Sequence, residues 1–281
     1  MKPNFLVIGA AKCATTSLVK IFSQHPQMFV TTPKEPEFFS YDEVFARGVD
    51  WYEALFAGGF GRIAVGEGST GYTKQIDYPL AAERVARHLP EAKLIYIVRH
   101  PLQRIESHWL ELATRVEKVP PLAGALQKWP GLLDTSKYWK QIRAYRSRYG
   151  DERILVLFFE DFVRQPEVEI ARCYQFLGVD PKLAGADPAT PHNVSSAKGM
   201  DGPVLHWLRR SPIVRRSPVA LKIGKLAIGL ARARLPFLQH RLPPRPEWPA
   251  DLRREVVRQI KDDAGEFLRF YGQSADFWRL E

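Results

Sequence analysis

Short apolar runs rich in β-branched and aromatic residues alternate with helical patterns through the first half of this chain, and that alternation leaves few folds open. Phe5 to Gly9, Ile63 to Gly66, Lys93 to Arg99 and Arg153 to Phe159 read as strands, while Thr15 to Ser23, Pro79 to His88, Leu102 to Val116 and Thr135 to Tyr149 read as helices. Strands that are apolar almost throughout are buried on both faces, so the pattern predicts an α/β fold: a parallel central sheet flanked by helices. A fifth helix, Glu167 to Leu177, stops at Gly178, a residue suited to a left-handed C-terminal cap. Leu252, Val256, Val257, Ile260, Phe267, Leu268 and Tyr271 then recur at helical spacing and predict a closing amphipathic helix.

The 281 residues suffice for one large core, and a single domain over 1–281 is expected. It divides into an α/β core over 1–184, a lid and basic segment over 185–246, and the closing helix over 247–281. Lys2 before the apolar run Phe5 to Ala11 imitates a secretory signal, but the run is short and Lys12 interrupts it. No stretch reaches the ~20 apolar residues of a membrane span. The two cysteines, Cys13 and Cys173, have no spacing that suggests a disulfide framework or a metal site, which fits a reducing cytoplasm.

Phe5 to Gly9 leads through Ala10, Ala11, Lys12, Cys13 and Ala14 to Thr15, Thr16 and Ser17, and directly into an apolar-periodic helix. A helix N-terminus offers unpaired N–H groups and partial positive charge, so a loop delivering a lysine and hydroxyls there makes an anion site. The nucleotide-triphosphatase pattern GxxxxGK[ST] fails on this loop. Ala14 stands at its second Gly, Thr15 stands at its Lys, and the lysine has in effect moved to Lys12. No apolar strand ending in Asp is evident to hold magnesium, so a donor bound without metal is expected. Taken alone, the loop also reads as a capped helix beside a surface lysine.

Further segments bring in a family. Lys12-Cys13-Ala14-Thr15-Thr16-Ser17-Leu18 resembles the 5′-phosphosulfate-binding loop of the sulfotransferases that use 3′-phosphoadenosine 5′-phosphosulfate (PAPS), usually Lys-x-Gly-Thr-Thr. Val98-Arg99-His100-Pro101 with Ser107 resembles their 3′-phosphate element. Pro33-Lys34-Glu35-Pro36-Glu37-Phe38-Phe39 is similar to the acceptor-activating segment of the heparan-type and related bacterial branch, and Ile154 to Asp161 with Pro166 is similar to the later core strand and turn. The likeness runs from about residue 4 to 180, and more loosely to Trp278.

The resemblance implies a parallel α/β fold with a P-loop-like phosphosulfate-binding loop, PAPS as co-substrate, PAP as product and no metal. It implies that Lys12 stabilises the leaving phosphate, that the backbone from Cys13 to Thr16 and the Thr15 and Thr16 hydroxyls cradle it with Ser17 completing the element, and that Arg99 and Ser107 hold the 3′-phosphate. A planar guanidinium at a strand's C-terminal end suits that task. Glu35 is the expected general base, with Glu37 as rival in the same motif. Lys198-Gly199, in an irregular loop over Gly185 to Gly202, partly matches a lid contact to the donor. Ala14 stands where Gly is usual, a place Ala fills readily at negative φ. Gly68 stands where heparan-type members carry a lysine near the transferred group, leaving Lys34 or Lys74 as substitutes. Arg104 reads as a surface charge, Phe159 as a core-strand aromatic, and His100 and His108 as structural.

Charge is concentrated late in the chain. Met200 to Pro246 holds ten Lys/Arg against Asp201, net +9 of the total +10. Within it, Val219 to Leu235 reads as a basic amphipathic helix, either packed on the enzyme or lying on an anionic membrane surface. No aromatic-interleaved motif supports nucleic acid as partner. The acceptor is expected to be a hydroxyl on a carbohydrate, lipid or small metabolite, and the protein cytoplasmic, with peripheral membrane contact open. The competing function class is a metal-dependent nucleotide kinase or NTPase.

Overall fold

Apolar continuity makes the first strand the middle of the sheet: all five residues of β1 (Phe5–Gly9) are buried. The computed structural model describes residues 1–32, 34–114, 116, 119–184, 200–201, 239–240 and 244–280. β1 pairs in parallel with β3 (Ala64–Gly68) on one side and β4 (Lys93–Val98) on the other, with Phe5 opposite Gly66 and Lys93. β2 (Met28–Val30) and β5 (Ile154–Phe158) are the edges, giving the order β2-β3-β1-β4-β5. The chain leaves β1 toward β2, whereas β4 continues the opposite way to β5. The crevice between the C-terminal ends of β1 and β4 is therefore a topological switch point, where open α/β sheets collect ligands.

Both faces are covered. On one face α1 (Thr15–Gln24) and α10 (Pro166–Leu177) meet the sheet through Phe22, with ring centroids 5.8 Å from Phe5 and 6.2 Å from Tyr174. Gly178 ends α10 at φ 77°, as the sequence predicts. On the other face lie α4 (Ala81–His88), α8 (Tyr138–Arg146) and α11 (Ala250–Phe270). α2 (Asp42–Phe45) and α3 (Val49–Ala54) frame an aromatic cluster in which Phe38 stacks on Tyr52 at 4.5 Å.

α5 (Pro101–Ala113), α6 (Leu122–Lys128) and α7 (Gly131–Asp134) enclose a second apolar cluster of Ile105, Trp109, Leu122 and Leu132. The closing helix joins the two clusters. Val256, Val257 and Ile260 enter the α5–α7 group, and one to three turns later Ala264, Phe267 and Leu268 enter the main core. Phe267 is fully buried among Tyr96, Tyr138, Phe158 and Trp278.

Several boundaries differ from expectation, each for a local reason. β2 has three residues, too few to show a period. β3 runs to Gly68, past Glu67, an acid that reads as a break until its buried partners are seen. β5 stops at Phe158, and Phe159 opens α9 (Phe159–Arg164) rather than continuing the strand. Of the expected Thr135–Tyr149 helix, Thr135 and Ser136 instead form a buried polar turn between α7 and α8. Met200–Asp201 (β6) and Gln239–His240 (β7) pair antiparallel. The Lys198-Gly199 lid contact and the Val219 to Leu235 helix lie outside the described residues. Among the described residues no helix is long and apolar enough to cross a membrane. Truncating the Phe267 ring leaves a cavity between sheet and closing helix, so Phe267→Ala is expected to lower the unfolding free energy by about 3–5 kcal/mol in urea titrations.

Candidate active site

The loop after β1 turns on two left-handed residues, Lys12 at φ 73° and Ala14 at φ 66°. Left-handed residues in a short loop turn successive N–H groups toward one point. Ala14 is the N-cap of α1; it provides no side-chain cap, and no acid sits in the first turn, so the N–H groups of Thr15 and Thr16 open the helix uncompensated. The Cys13 N–H is already given to Ala10 O at 3.2 Å, which removes it from the expected anion cradle. Its side chain is fully buried, 4.0 Å from the Tyr138 hydroxyl, and burial pushes the thiol up to about 12. Thr15 is buried, Thr16 is exposed and Ser17 half-buried. Ala14 does not take the negative φ at which Ala would fill this place readily: it occupies the region that costs an L-residue about 1–2 kcal/mol and suits glycine.

Lys12 Nζ lies 3.4 Å from Glu111 Oε2 on α5. Across the crevice, Arg99 follows β4, its guanidinium 4.6 Å over the Phe159 ring and donating to Gln103 Oε1 at 3.1 and 3.3 Å. The Tyr138 hydroxyl donates to Arg99 O at 2.6 Å, and His100 N–H donates to Glu160 Oε1 at 2.7 Å, which fixes the turn from strand to helix. Phe159 is thus a platform for Arg99 rather than a strand core residue. Ser107 is buried on α5. Arg104 is not a surface charge: it is fully buried, donating from Nε to Ser136 Oγ and from Nη2 to Leu132 O, with Nη1 3.2 Å from His108 Nδ1.

The segment carrying Glu35 reaches the loop from the β3 side. Phe38 and Phe39, both fully buried, anchor it to the aromatic cluster. Lys34 Nζ stands 2.8 Å from Glu35 Oε1 and 3.4 Å from Thr16 Oγ1, while the Thr70 hydroxyl donates to Glu35 Oε2 at 3.1 Å. Burial would raise the Glu35 carboxyl, but the Lys34 charge and the hydrogen bonds from Glu37, Lys34 and Thr70 hold it well below the usual range. Glu37 points inward, accepting from Ser40 Oγ at 2.6 Å and Gly71 N at 3.0 Å; burial first, then the neighbouring Glu35, pushes its carboxyl up. The two rivals for general base therefore sit in opposite electrostatic settings, Glu35 ionised at neutral pH and Glu37 favouring its proton.

Behind them Glu67 is fully buried on β3, accepting from Tyr72, Ser69 at 2.7 Å and Tyr52 at 3.2 Å. Ser69 Oγ in turn accepts the Glu37 N–H at 3.0 Å. Gly68 has a steric cause: a Cβ there would fall 2.7 Å from Val19 Cγ2 of α1, and Lys34 Cε passes 3.5 Å from the same point. Of the two substitutes expected for a lysine at 68, Lys34 is the one that lies over Gly68. Lys74 instead lines a cleft of about 280 Å³ with Asp77, His108, Lys128 and Trp129. The sequence reading missed Thr70, Glu111, Gln103 and Tyr138. An acid inside an apolar strand, as at Glu67, was the one available signal for the buried network.

Residues 52–182 match the sulfotransferase family. The matched segment includes Arg99 and Ser107, while the Lys12 loop and Glu35 precede it. The chain is 30% identical over 130 residues to a bifunctional heparan sulfate N-deacetylase/N-sulfotransferase 1 of Caenorhabditis elegans, covering 44% of this chain and 15% of that protein. It is 23% identical over 194 residues to heparan sulfate glucosamine 3-O-sulfotransferase 5 of Mus musculus, covering 65% and 55%. The chain thus spans from about a seventh to just over half the length of these relatives. A crystal structure of a sulfotransferase from Alicyclobacillus acidocaldarius superposes with a TM-score of 0.70 over 99% of both chains at 24% identity, which shows a shared fold. Residues 52–182 thus resemble the sulfotransferase family, and the chain shares the fold of that solved sulfotransferase.

Two measurements follow from this geometry. Ala14→Gly relieves the left-handed strain and is expected to raise stability by about 1 kcal/mol in urea unfolding. Burial, against the hydrogen bonds of Tyr72, Ser69 and Tyr52, raises the Glu67 carboxyl from the ordinary 4.5 to about 7. The folded chain therefore keeps this proton to a higher pH than the unfolded chain, so the stabilisation is complete at low pH and is lost as pH rises through the folded value. Urea titrations from about pH 5 to 7.5 should show Glu67→Gln with a shallower decline than the parent, by at most about 1.4 kcal/mol per pH unit.

Proposed function

We propose that the protein moves a sulfuryl group from PAPS to an acceptor hydroxyl by in-line displacement, with Lys12 stabilising the leaving group and Glu35 as general base. One observation carries the reading: an uncompensated helix N-terminus and an ionised carboxylate are linked through a single lysine, Lys34, which touches Thr16 and Glu35. That spacing suits an anionic leaving group on one side and a hydroxyl losing its proton on the other.

The residues divide the work by position. The Thr15 and Thr16 N–H groups and hydroxyls, with Ser17 and Lys12, receive the 5′-phosphate as its charge grows. Arg99, braced by Phe159 and Gln103, offers a planar fork to the 3′-phosphate, with Ser107 on the next helix. The fit of a doubly phosphorylated nucleotide rests on cations at two ends of one crevice, Lys12 and Arg99, and on the uncapped first turn of α1. Glu35 takes the acceptor proton. The relative named heparan sulfate glucosamine 3-O-sulfotransferase 5 favours a carbohydrate hydroxyl as acceptor. The Lys198-Gly199 lid contact belongs to the same proposal, as does peripheral contact of the basic 200–246 stretch with an anionic membrane in the cytoplasm.

The deciding experiment pairs calorimetry with turnover. PAP is expected to bind without magnesium and more tightly than AMP, and incubation with PAPS and candidate acceptors to add one sulfuryl mass to a product. Glu35→Gln should abolish transfer and leave PAP affinity nearly intact. A requirement for magnesium and a nucleoside triphosphate would instead establish the kinase or NTPase alternative.

A further inference from the structure

The loop after β1 carries one lysine and meets a second. Lys12 leans toward α5, beyond β4, where Glu111 holds it at 3.4 Å. Lys34 comes from the β3 side. Its stem crosses Gly68 at 3.5 Å from the place a Cβ would occupy, a place that also lies 2.7 Å from Val19 Cγ2. Its side chain is 17% exposed, and the ammonium ends 2.8 Å from Glu35 Oε1 and 3.4 Å from Thr16 Oγ1. In-line transfer aligns the acceptor oxygen, the sulfur and the bridging oxygen, so a sulfuryl group in flight must cross the gap between the carboxylate and the first turn of α1. Lys34 touches both sides of that gap.

We propose that Lys34 is a catalytic residue, its ammonium binding the non-bridging sulfuryl oxygens as the group passes from the loop to the acceptor at Glu35. The inference rests on the sulfotransferase reading above. In the step, the bond from acceptor oxygen to sulfur forms as the bond from sulfur to the donor's phosphate oxygen breaks. The electron pair of the broken bond stays on that oxygen, the acceptor's proton passes to Glu35, and Lys34 keeps all its protons. A fixed cation at the reacting group costs no reorganisation at the moment of transfer.

Lys34 has a second effect on the same reaction. Glu35 is faced by Lys34 on its own segment, by Glu37 two residues on, by the Thr70 hydroxyl on the turn after β3, and by Glu67 within β3. Burial opposes its ionisation, and the Lys34 charge and the hydrogen bonds from Glu37, Lys34 and Thr70 favour it. Of these facing groups Lys34 is the one that brings positive charge, so removing it should move the Glu35 titration upward.

The test compares Lys34→Met and Lys34→Arg with the parent in the full chain. Lys34→Met is expected to lower kcat by about 100-fold, while PAP affinity by calorimetry stays within about threefold of the parent. The acid limb of its kcat profile should rise by about one pH unit or more, and Lys34→Arg should recover much of the rate. Carboxyl ¹³C titration of Glu35, assigned through Glu35→Gln, should show the same upward move without any turnover. An active parent whose Lys34→Met form keeps its rate and acid limb overturns this inference alone. So does a variant whose PAP affinity falls in step with kcat. A parent that binds PAP and transfers to no acceptor overturns the sulfotransferase reading together with it.

Discussion

The placement of β1 between strands whose connections leave in opposite directions is the constraint on which the rest depends. Because β3 and β4 both flank β1, the loop that follows it receives groups from both sides. Arg99 and Glu111 come from the β4 side; Lys34, Glu35 and Thr70 come from the β3 side. The turn into α1 then supplies what neither side chain set can, a row of N–H groups with no helical acceptor. Ala14 holds that turn in a conformation unfavourable to any residue with a Cβ, and the packing of β1 and α1 around it offsets the cost.

Three carboxyls within one small region show how environment divides labour among identical groups. Glu67 is sealed beneath two tyrosines and Ser69, Glu37 is buried beside another acid, and Glu35 is drawn toward a lysine and partial solvent. Only the last is in a setting that favours charge. Pairs of titratable groups pushed apart in this way are a recognised mark of acid–base sites. The motif alone leaves Glu35 and Glu37 as rivals two residues apart; their surroundings separate them.

Much of the fold was legible because its strands are continuous apolar runs and its helices carry strong apolar periods. The family resemblance was legible because Lys12-x-x-Thr15-Thr16 and Arg99 to Ser107 are local in sequence. Contacts made across the fold were not. Arg104 looks like any surface arginine until the α7–α8 turn closes over it, and Glu111 gives no hint that Lys12 will reach it. The three residues of β2 fall below the length at which a period exists. Gly68 shows the same limit: a missing lysine reads as a lost function, whereas the structure puts the Val19 methyl of α1 2.7 Å from where a Cβ would stand and the Lys34 stem beside it.

The closing helix deserves a last consideration in terms of chain topology. α11 is fastened to both apolar clusters at once. Ahead of it in the chain, Met200 pairs with His240 and Asp201 with Gln239. A helix bound to both clusters couples them, so the sheet core and the α5–α7 group are expected to open as one cooperative unit rather than in turn.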